Sequence, residues 1–331
     1  MPATRASPAT LCFAFVLLVA TVACLWGRDS YLIGSAWWAL RWLVGLSAAV
    51  VLFSAMRRRR RMLAGLSAAT LGLALTDGAS VALAHARPDR VERGGELVVV
   101  THNLLFQGNV LAESIAGMRD AGPAVIALQE VTPADGRELV GALEPAFPFH
   151  DEAPHVGANG FALFSRFPLE DVRLVRFDGK LPFAQCATLL LPDGPLPVCN
   201  VHLSAPSKAL RGFASFPDLD GLELNAARRS KEWSAVEAEL DRRGGDRALA
   251  LGDFNSHEAE PLYRTIRHDW VDAFRQLHFA WGATWPNRVP GRRPFARIDY
   301  VFTRGSLQPI DAQVISRSGS DHLGVWARLA R

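Results

Sequence analysis

Six short apolar runs in the second part of the chain each end at, or run into, a polar side chain able to hold a metal ion or a phosphate. No other feature limits the possible folds so strongly. Leu97-Val98-Val99-Val100 leads to Thr101-His102-Asn103, and Ala124-Val125-Ile126-Ala127-Leu128 leads to Gln129-Glu130. Pro197-Val198-Cys199-Asn200-Val201 leads to His202, while Ala248-Leu249-Ala250-Leu251 is broken by Gly252 and presents Asp253 and Asn255. Phe295-Ala296-Arg297-Ile298 precedes Asp299, with Tyr300-Val301-Phe302 after it. Ser318-Gly319-Ser320 introduces Asp321-His322 ahead of Leu323-Gly324-Val325-Trp326. Short apolar runs read as buried strands. Residues i and i+2 of a strand exit face one way, so Asp253 and Asn255 can converge on one small volume. One Asx pair after a strand is ordinarily a turn. Six polar strand ends require something more, a site along one edge of stacked sheets.

Taken in order, Asn103, Leu128-Gln129-Glu130, Val201-His202-Leu203, Gly252-Asp253-Phe254-Asn255, Arg297-Ile298-Asp299-Tyr300 and Ser320-Asp321-His322 resemble the endonuclease/exonuclease/phosphatase superfamily over residues 95–331. The Gly-Asp-Phe-Asn and Ser-Asp-His motifs together are the most specific part. The resemblance implies a four-layer α/β/β/α sandwich of the deoxyribonuclease I type over residues 96–331, and a phosphoester hydrolase dependent on a divalent metal. Such chemistry needs charge neutralisation at the phosphate, an activated water and donors for the developing charge. Glu130 is the implied metal ligand, with Asn103 and Asp321 completing or supporting its shell through water. Oxygen donors favour Mg²⁺ or Mn²⁺, and zinc is disfavoured because no Cys/His cluster has ligand spacing. Asp253 is implied to orient and deprotonate the attacking water. Asn255 and His202 would hold phosphoryl oxygens, and His322, oriented by Asp299, would donate a proton or clamp phosphate.

Other polar residues carry plainer expectations. His102 stands where the family often has tryptophan and reads as packing. Asn109 and His257 read as a turn and a surface residue, and Asp272 and Thr284-Trp285 as scaffold. The family's Arg-x-x-Gln pair is absent from the long helix expected over Leu222–Arg243. Arg228 is followed by Lys231 and Arg229 by Glu232, so no role is transferred. Further helices are expected over Ala112–Ala121 and Pro133–Leu143, and a buried strand over Gly160–Arg166. The loop Ser204–Gly221 is longer than most and sets Phe213 and Phe216 beside Lys208 and Arg211, which suits a membrane interface or an amphiphilic substrate, or else aromatics packed onto the domain.

The first 87 residues differ in kind. Apolar runs over about 8–27, 31–55 and 62–84 have the length of bilayer spans, and three transmembrane helices are expected there, followed by a charged linker at 88–95. Arg57–Arg61, placed between the second and third runs, should remain cytoplasmic, which would put the N-terminus inside and the catalytic domain outside. Arg41 and Asp77 are the charges within these runs, either paired or snorkelling separately. Residues 1–87 hold nine Arg and two Asp, a charge of +7, leaving −4 for the rest of a chain of net +3. A mildly acidic catalytic part offers no basic stripe for nucleic acid. Cys186 and Cys199 flank the turn Leu191-Pro192-Asp193-Gly194-Pro195 and fall opposite each other if the runs form a hairpin. Two readings stay open, a disulfide in an oxidising compartment or two free thiols.

Anchored chains of this pattern also resemble teicoplanin-resistance proteins of the VanJ type, for which a lipid-linked pyrophosphate substrate is suggested. The expectation is a hydrolase integral to the cytoplasmic membrane, its catalytic domain extracytoplasmic, acting on a lipid-linked phosphate or pyrophosphate. The alternatives are an extracytoplasmic nuclease acting on nucleic acid and a silent membrane-tethered binding module. Retention of a competent side chain at every key position speaks against the last.

Overall fold

Alternation along the strands decides how residues 95 onward fold. The computed structural model describes residues 8–26, 31–57, 61–83, 95–106, 111–206, 218–278, 280–287 and 293–331. The chain divides into two compact units, Met1–Ala86 with Ala259–Arg264, and Arg87–Glu258 with Thr265–Arg331. In the larger unit, strands β1 (Glu96–Asn103), β2 (Val125–Gln129), β3 (Phe149–Ala153), β4 (Phe161–Ser165), β11 (Gln308–Ile315) and β12 (Gly324–Ala330) form one sheet, ordered β11-β12-β1-β2-β4-β3. Strands β5 (Leu169–Val175), β6 (Ala184–Leu191), β7 (Gly194–His202), β8 (Ala248–Asp253), β9 (Val271–Asp272) and β10 (Asp299–Arg304) form the other, ordered β5-β6-β7-β8-β10-β9.

Because side chains alternate faces, Leu97, Val99, Val125 and Ala127 of the first sheet meet Leu196, Val198, Leu249, Leu251 and Val301 of the second in one buried core. Each fully buried aliphatic contributes roughly 1.5–3 kcal/mol. The opposite parity faces outward. Val100, Ile126, Leu128 and Phe164 pack beneath helices α4 (Leu111–Asp120) and α5 (Pro133–Leu143) through Ile115, Met118, Leu139 and Leu143. A capping box between Thr132 and Asp135, with proline at the helix start, fixes where α5 begins. Helix α6 (Leu219–Arg242) lies on β5–β7 and buries Leu222, Trp233, Val236 and Leu240, a helical stripe. The two sheets and their flanking helices give the two-sheet α/β sandwich expected from the motifs.

Cys186 and Cys199 are register partners on β6 and β7 and form a disulfide. The free thiols are Cys12 and Cys24.

The smaller unit corrects an expectation. Helices α1 (Pro8–Trp26), α2 (Tyr31–Arg57) and α3 (Arg61–Leu83) form where three transmembrane helices were expected. Among the described residues, however, no helix is long and apolar enough to cross a membrane. A span takes about 20 consecutive apolar residues. α1 has 19 residues in all and opens on Pro8-Ala9-Thr10, α2 is interrupted by Arg41, and α3 is diluted by Gly65, Ser67, Thr70, Gly72 and Asp77. The helices bury small or polar side chains, Ala14, Ala48, Ala55, Ser67 and Thr70 among them, while Phe13, Phe15, Leu43, Leu46 and Phe53 are exposed. Thr70 Oγ1 donates to Leu66 O within its own helix, which satisfies the buried hydroxyl. The Arg41 and Asp77 side chains lie outside the described set, as do residues 84–94, which include most of the expected linker.

Candidate active site

Strand parity and register build the site. β1 and β2 run parallel with Asn103 opposite Gln129, and β7 and β8 run parallel with His202 opposite Asp253. Antiparallel β10 sets Asp299 opposite Asp253. All five residues belong to the odd or even series whose other members fill the intersheet core, so their side chains meet at one edge between the sheets.

Asn103 is the bracket. Its Nδ2 donates to Glu130 Oε1 and to Asp253 Oδ2, both at 3.0 Å, and its Oδ1 accepts from Leu105 N at 3.0 Å. The other oxygen of Glu130 accepts from Phe106 N at 3.1 Å. One amide nitrogen thus joins carboxylates from the two sheets. His202 Nε2 stands 3.7 Å from both Glu130 Oε1 and Asp253 Oδ2, and its buried Nδ1 has no hydrogen-bond partner among the described residues. Asn255 donates its backbone N–H to Asp253 Oδ1 at 2.8 Å and its Nδ2 to Leu203 O at 2.9 Å. His322 Nδ1 lies 3.0 and 3.2 Å from the two Asp299 oxygens, with its Nε2 3.8 Å from Asp253 Oδ2.

Backbone strain gathers here. Leu105, Glu130 and Asn255 all adopt positive φ (59°, 58° and 48°), at roughly 1–2 kcal/mol each for an L residue. Gly252 (φ +148°) is needed for another reason. A Cβ there would stand 1.9 Å from Val201 O, so only glycine lets β7 and β8 approach closely enough to place His202 beside Asp253.

The electrostatics separate the acids from the imidazole. Burial, and then the neighbouring Asp299 carboxylate, push Asp253 up to about 6. Burial alone would push His322 down, but Asp299 and then Asp253 overcome it and hold it at about 10. The flanking carboxylates favour the protonated form of His322, which suits its Nε2 to donate. His102 goes the other way, pushed down to about 4 by burial, and is a neutral packing residue with Nδ1 on Asn103 O.

A model of the endonuclease/exonuclease/phosphatase family matches residues 100–322, more than half of the chain. The chain belongs to this family. Its members hydrolyse phosphoester bonds and typically use divalent metal ions. Among solved structures, the endonuclease/exonuclease/phosphatase of Beutenbergia cavernae DSM 12333 is 21% identical with a TM-score of 0.52, covering 72% of this chain and 72% of that one. The Bacteroides vulgatus endonuclease/exonuclease/phosphatase is 16% identical (TM-score 0.54, 71% and 98% covered). D. rerio TDP2 complexed with a single-strand DNA product is likewise 16% identical (TM-score 0.56, 72% and 100% covered). These likenesses show the shared fold. No curated protein sequence matches the chain.

In this family member the donor chemistry fits a divalent cation. Glu130, Asp253, Asp299 and the half-buried Asp321 gather at one edge beside the imidazoles of His202 and His322, and such a cluster of carboxylates calls for added positive charge. Asp253, Asp299 and His322 bring ligand-type atoms within 4.8 Å of one another. With His322 protonated, that trio is better suited to moving protons. Glu130, held by two donors and opening on a cleft with His202, is the better ligand.

The structure brings together Asn103, Glu130, His202, Asp253, Asn255, Asp299 and His322. Asp321 sits at the margin, where it accepts from Trp285 Nε1 at 3.2 Å. Thr284 Oγ1 accepts from Asp299 N at 3.4 Å, and Asp272 caps helix α7 (Ala273–Leu277) while bonding Arg297. Both act as scaffold. Asn109 and the residues 207–217, with Lys208, Arg211, Phe213 and Phe216, lie outside the described set.

Sequence reasoning missed a row of buried amides beneath the site. Gln129 Nε2 donates to Asn200 Oδ1 at 2.6 Å, and Asn200 Nδ2 donates to Leu128 O and Ala162 O at 2.9 and 3.1 Å. Gln185 Nε2 reaches Asp151 Oδ1 at 2.6 Å. The row pins one sheet to the other just behind Glu130 and His202. It also missed Glu232, fully buried, which accepts from Ser204 N at 2.8 Å and Ser204 Oγ at 2.6 Å and so fixes the chain leaving His202. The available signal was the polarity of Gln185 and Asn200 inside otherwise apolar runs.

Proposed function

We propose that this family member is a divalent-metal-dependent hydrolase of a lipid-linked phosphate or pyrophosphate, working outside the cytoplasmic membrane. The observation that carries the reading is the single Asn103 amide joining Glu130 and Asp253, with His322 closing the far side. Glu130 would hold Mg²⁺ or Mn²⁺, with Asn103 and Asp321 supporting its shell, and the ion would neutralise phosphate charge when bound. Asp253, raised towards neutrality by burial, is suited to accept the proton of an attacking water. His202 borders the same space as a donor for phosphoryl oxygens, and Asn255 would join it by exchanging the long Nδ2 contact to Asp253 Oδ2 at 3.3 Å for one to phosphate. His322, an imidazolium backed by Asp299, supplies a proton to the departing oxygen.

Two observations support the compartment and the lipid. The buried Cys186–Cys199 disulfide suits an oxidising compartment. The apolar side chains exposed on the helical unit, such as Phe13, Phe15 and Leu46, suit work against a lipid surface. The test is a substrate panel of lipid diphosphate, lipid monophosphate and single-strand DNA with Mg²⁺ or Mn²⁺, comparing wild type with Asp253→Ala. Lipid phosphate turnover without DNA cleavage, abolished by chelation, is expected. A positioned acid–base group contributes about 10²–10⁴-fold, so a loss below tenfold in Asp253→Ala removes its role. DNA cleavage alone would make the chain a nuclease instead.

A further inference from the structure

Beside Glu130 and His202 the larger unit opens into a cleft of about 660 Å³, walled by Lys180–Phe183, Ser204–Pro206 and the first turns of α6. Its charges are unequally engaged. Asp218 is turned onto Gly221 N at 2.9 Å as the helix cap. Glu232 is occupied by Ser204 and by Arg228 Nε at 2.8 Å. Glu130 is held by Asn103 and Phe106. The cations are in the opposite state. Arg228 is 56% exposed and uses Nε alone, which leaves its terminal nitrogens without a partner among the described residues. Lys180, also exposed, has none for its ammonium there.

We infer that this cleft receives a second phosphate of the substrate, held between Lys180 and Arg228 while the scissile phosphate sits at Glu130 and His202. The inference rests on the hydrolase reading above and narrows it to diphosphate esters. The physical grounds are the two unspent cations on one cleft whose acids are already committed. A guanidinium binds phosphate oxygens through paired N–H groups and an ammonium acts as a point charge. Leu181, half exposed on the same wall, gives the esterified group an apolar surface.

The test compares farnesyl diphosphate, adenosine diphosphate and bis(4-nitrophenyl) phosphate as substrates of the full chain, wild type against Lys180→Ala, Arg228→Ala and Lys180→Arg. Each alanine variant should raise KM for the diphosphates about tenfold, the loss of one charge-assisted contact, with kcat changing far less. The ratio of diphosphate to diester kcat/KM should fall by the same factor, and Lys180→Arg should restore it. The two diphosphates distinguish a lipid from a nucleotide source. Equal losses on diphosphate and diester overturn the proposal. Independently of turnover, calorimetry at fixed Mg²⁺ should show methylenediphosphonate binding at least tenfold tighter than methylphosphonate, an advantage lost in Lys180→Ala. Equal affinities in the wild type overturn the subsite even if the chain hydrolyses phosphoesters. A preserved advantage in a chain that hydrolyses nothing leaves the subsite standing and removes the hydrolase reading.

Discussion

Replacing Asp299 by asparagine keeps the shape of the side chain and removes the charge that holds His322 protonated. The carboxylate oxygens lie 3.0 and 3.2 Å from His322 Nδ1, whereas the other facing carboxylate, Asp253, is at 3.8 Å from Nε2. A unit charge at 3 Å is worth about 5 kcal/mol at an effective dielectric constant of about 20. At 1.36 kcal/mol per pKa unit that is nearly four units. The same size accounts for the climb of His322 from 6.5 to about 10. Asp299→Asn should therefore bring the imidazole midpoint back to about 7 or lower, since burial is then opposed only by Asp253 and, more weakly, Asp321. The assay is an NMR titration of the His322 ring protons in chelator. A raised histidine pKa stabilises the fold fully below pH 6.5, and the contribution is lost as pH rises through about 10. Wild-type melting temperature should therefore slope downward across that window, and the slope should flatten in the variant. Hydrolysis at pH 8 should fall about 10²-fold or more, as befits a lost proton donor. A ring midpoint that stays near 10 in Asp299→Asn refutes the reasoning.

Other substitutions test the frame around the site. Gly252→Ala should cost about 1–3 kcal/mol by overpacking and more through its φ, read by urea unfolding, with hydrolysis lost because β7 and β8 separate. Arg297 bonds both Asp272 and Glu258 in a buried cluster, so Arg297→Met should lose about 3–5 kcal/mol. Burial opposes the ionised form of Asp272, but Arg297 overcomes it and holds the carboxyl below its usual value. Its stabilisation is complete above pH 3.8 and lost as pH falls through the depressed value, so Asp272→Asn should remove part of the acid limb of a melting curve. Reducing Cys186–Cys199, which closes a short loop, should cost about 3 kcal/mol, and intact mass should rise by two hydrogens only after reductant.

Much of the site was legible because its members are strand ends. A period of two fixes which residues of an apolar run share a face, so Asn103, His202, Asp253 and Asp299 could be named from the alternation they complete. The capping box at Thr132 and the helical stripe of α6 are equally local. Long-range partners were not legible. Gln185, Asn200 and Glu232 act through residues distant in the chain, and nothing in their neighbours' chemistry announces those contacts. The helical segment shows the converse limit, since apolar content alone suggested spans that the folded helices do not provide.

The sequence by itself determined the strands and the parity of their polar ends, because each depends on residue type and spacing along one stretch, while the family and its phosphoester chemistry were implied by the resemblance those motifs carry. Tertiary structure decided that Asn103 brackets Glu130 and Asp253, that Asp299 and Asp253 flank His322, and that Lys180 and Arg228 line one cleft. Those facts depend on distances and burial between segments brought together only when the two sheets close.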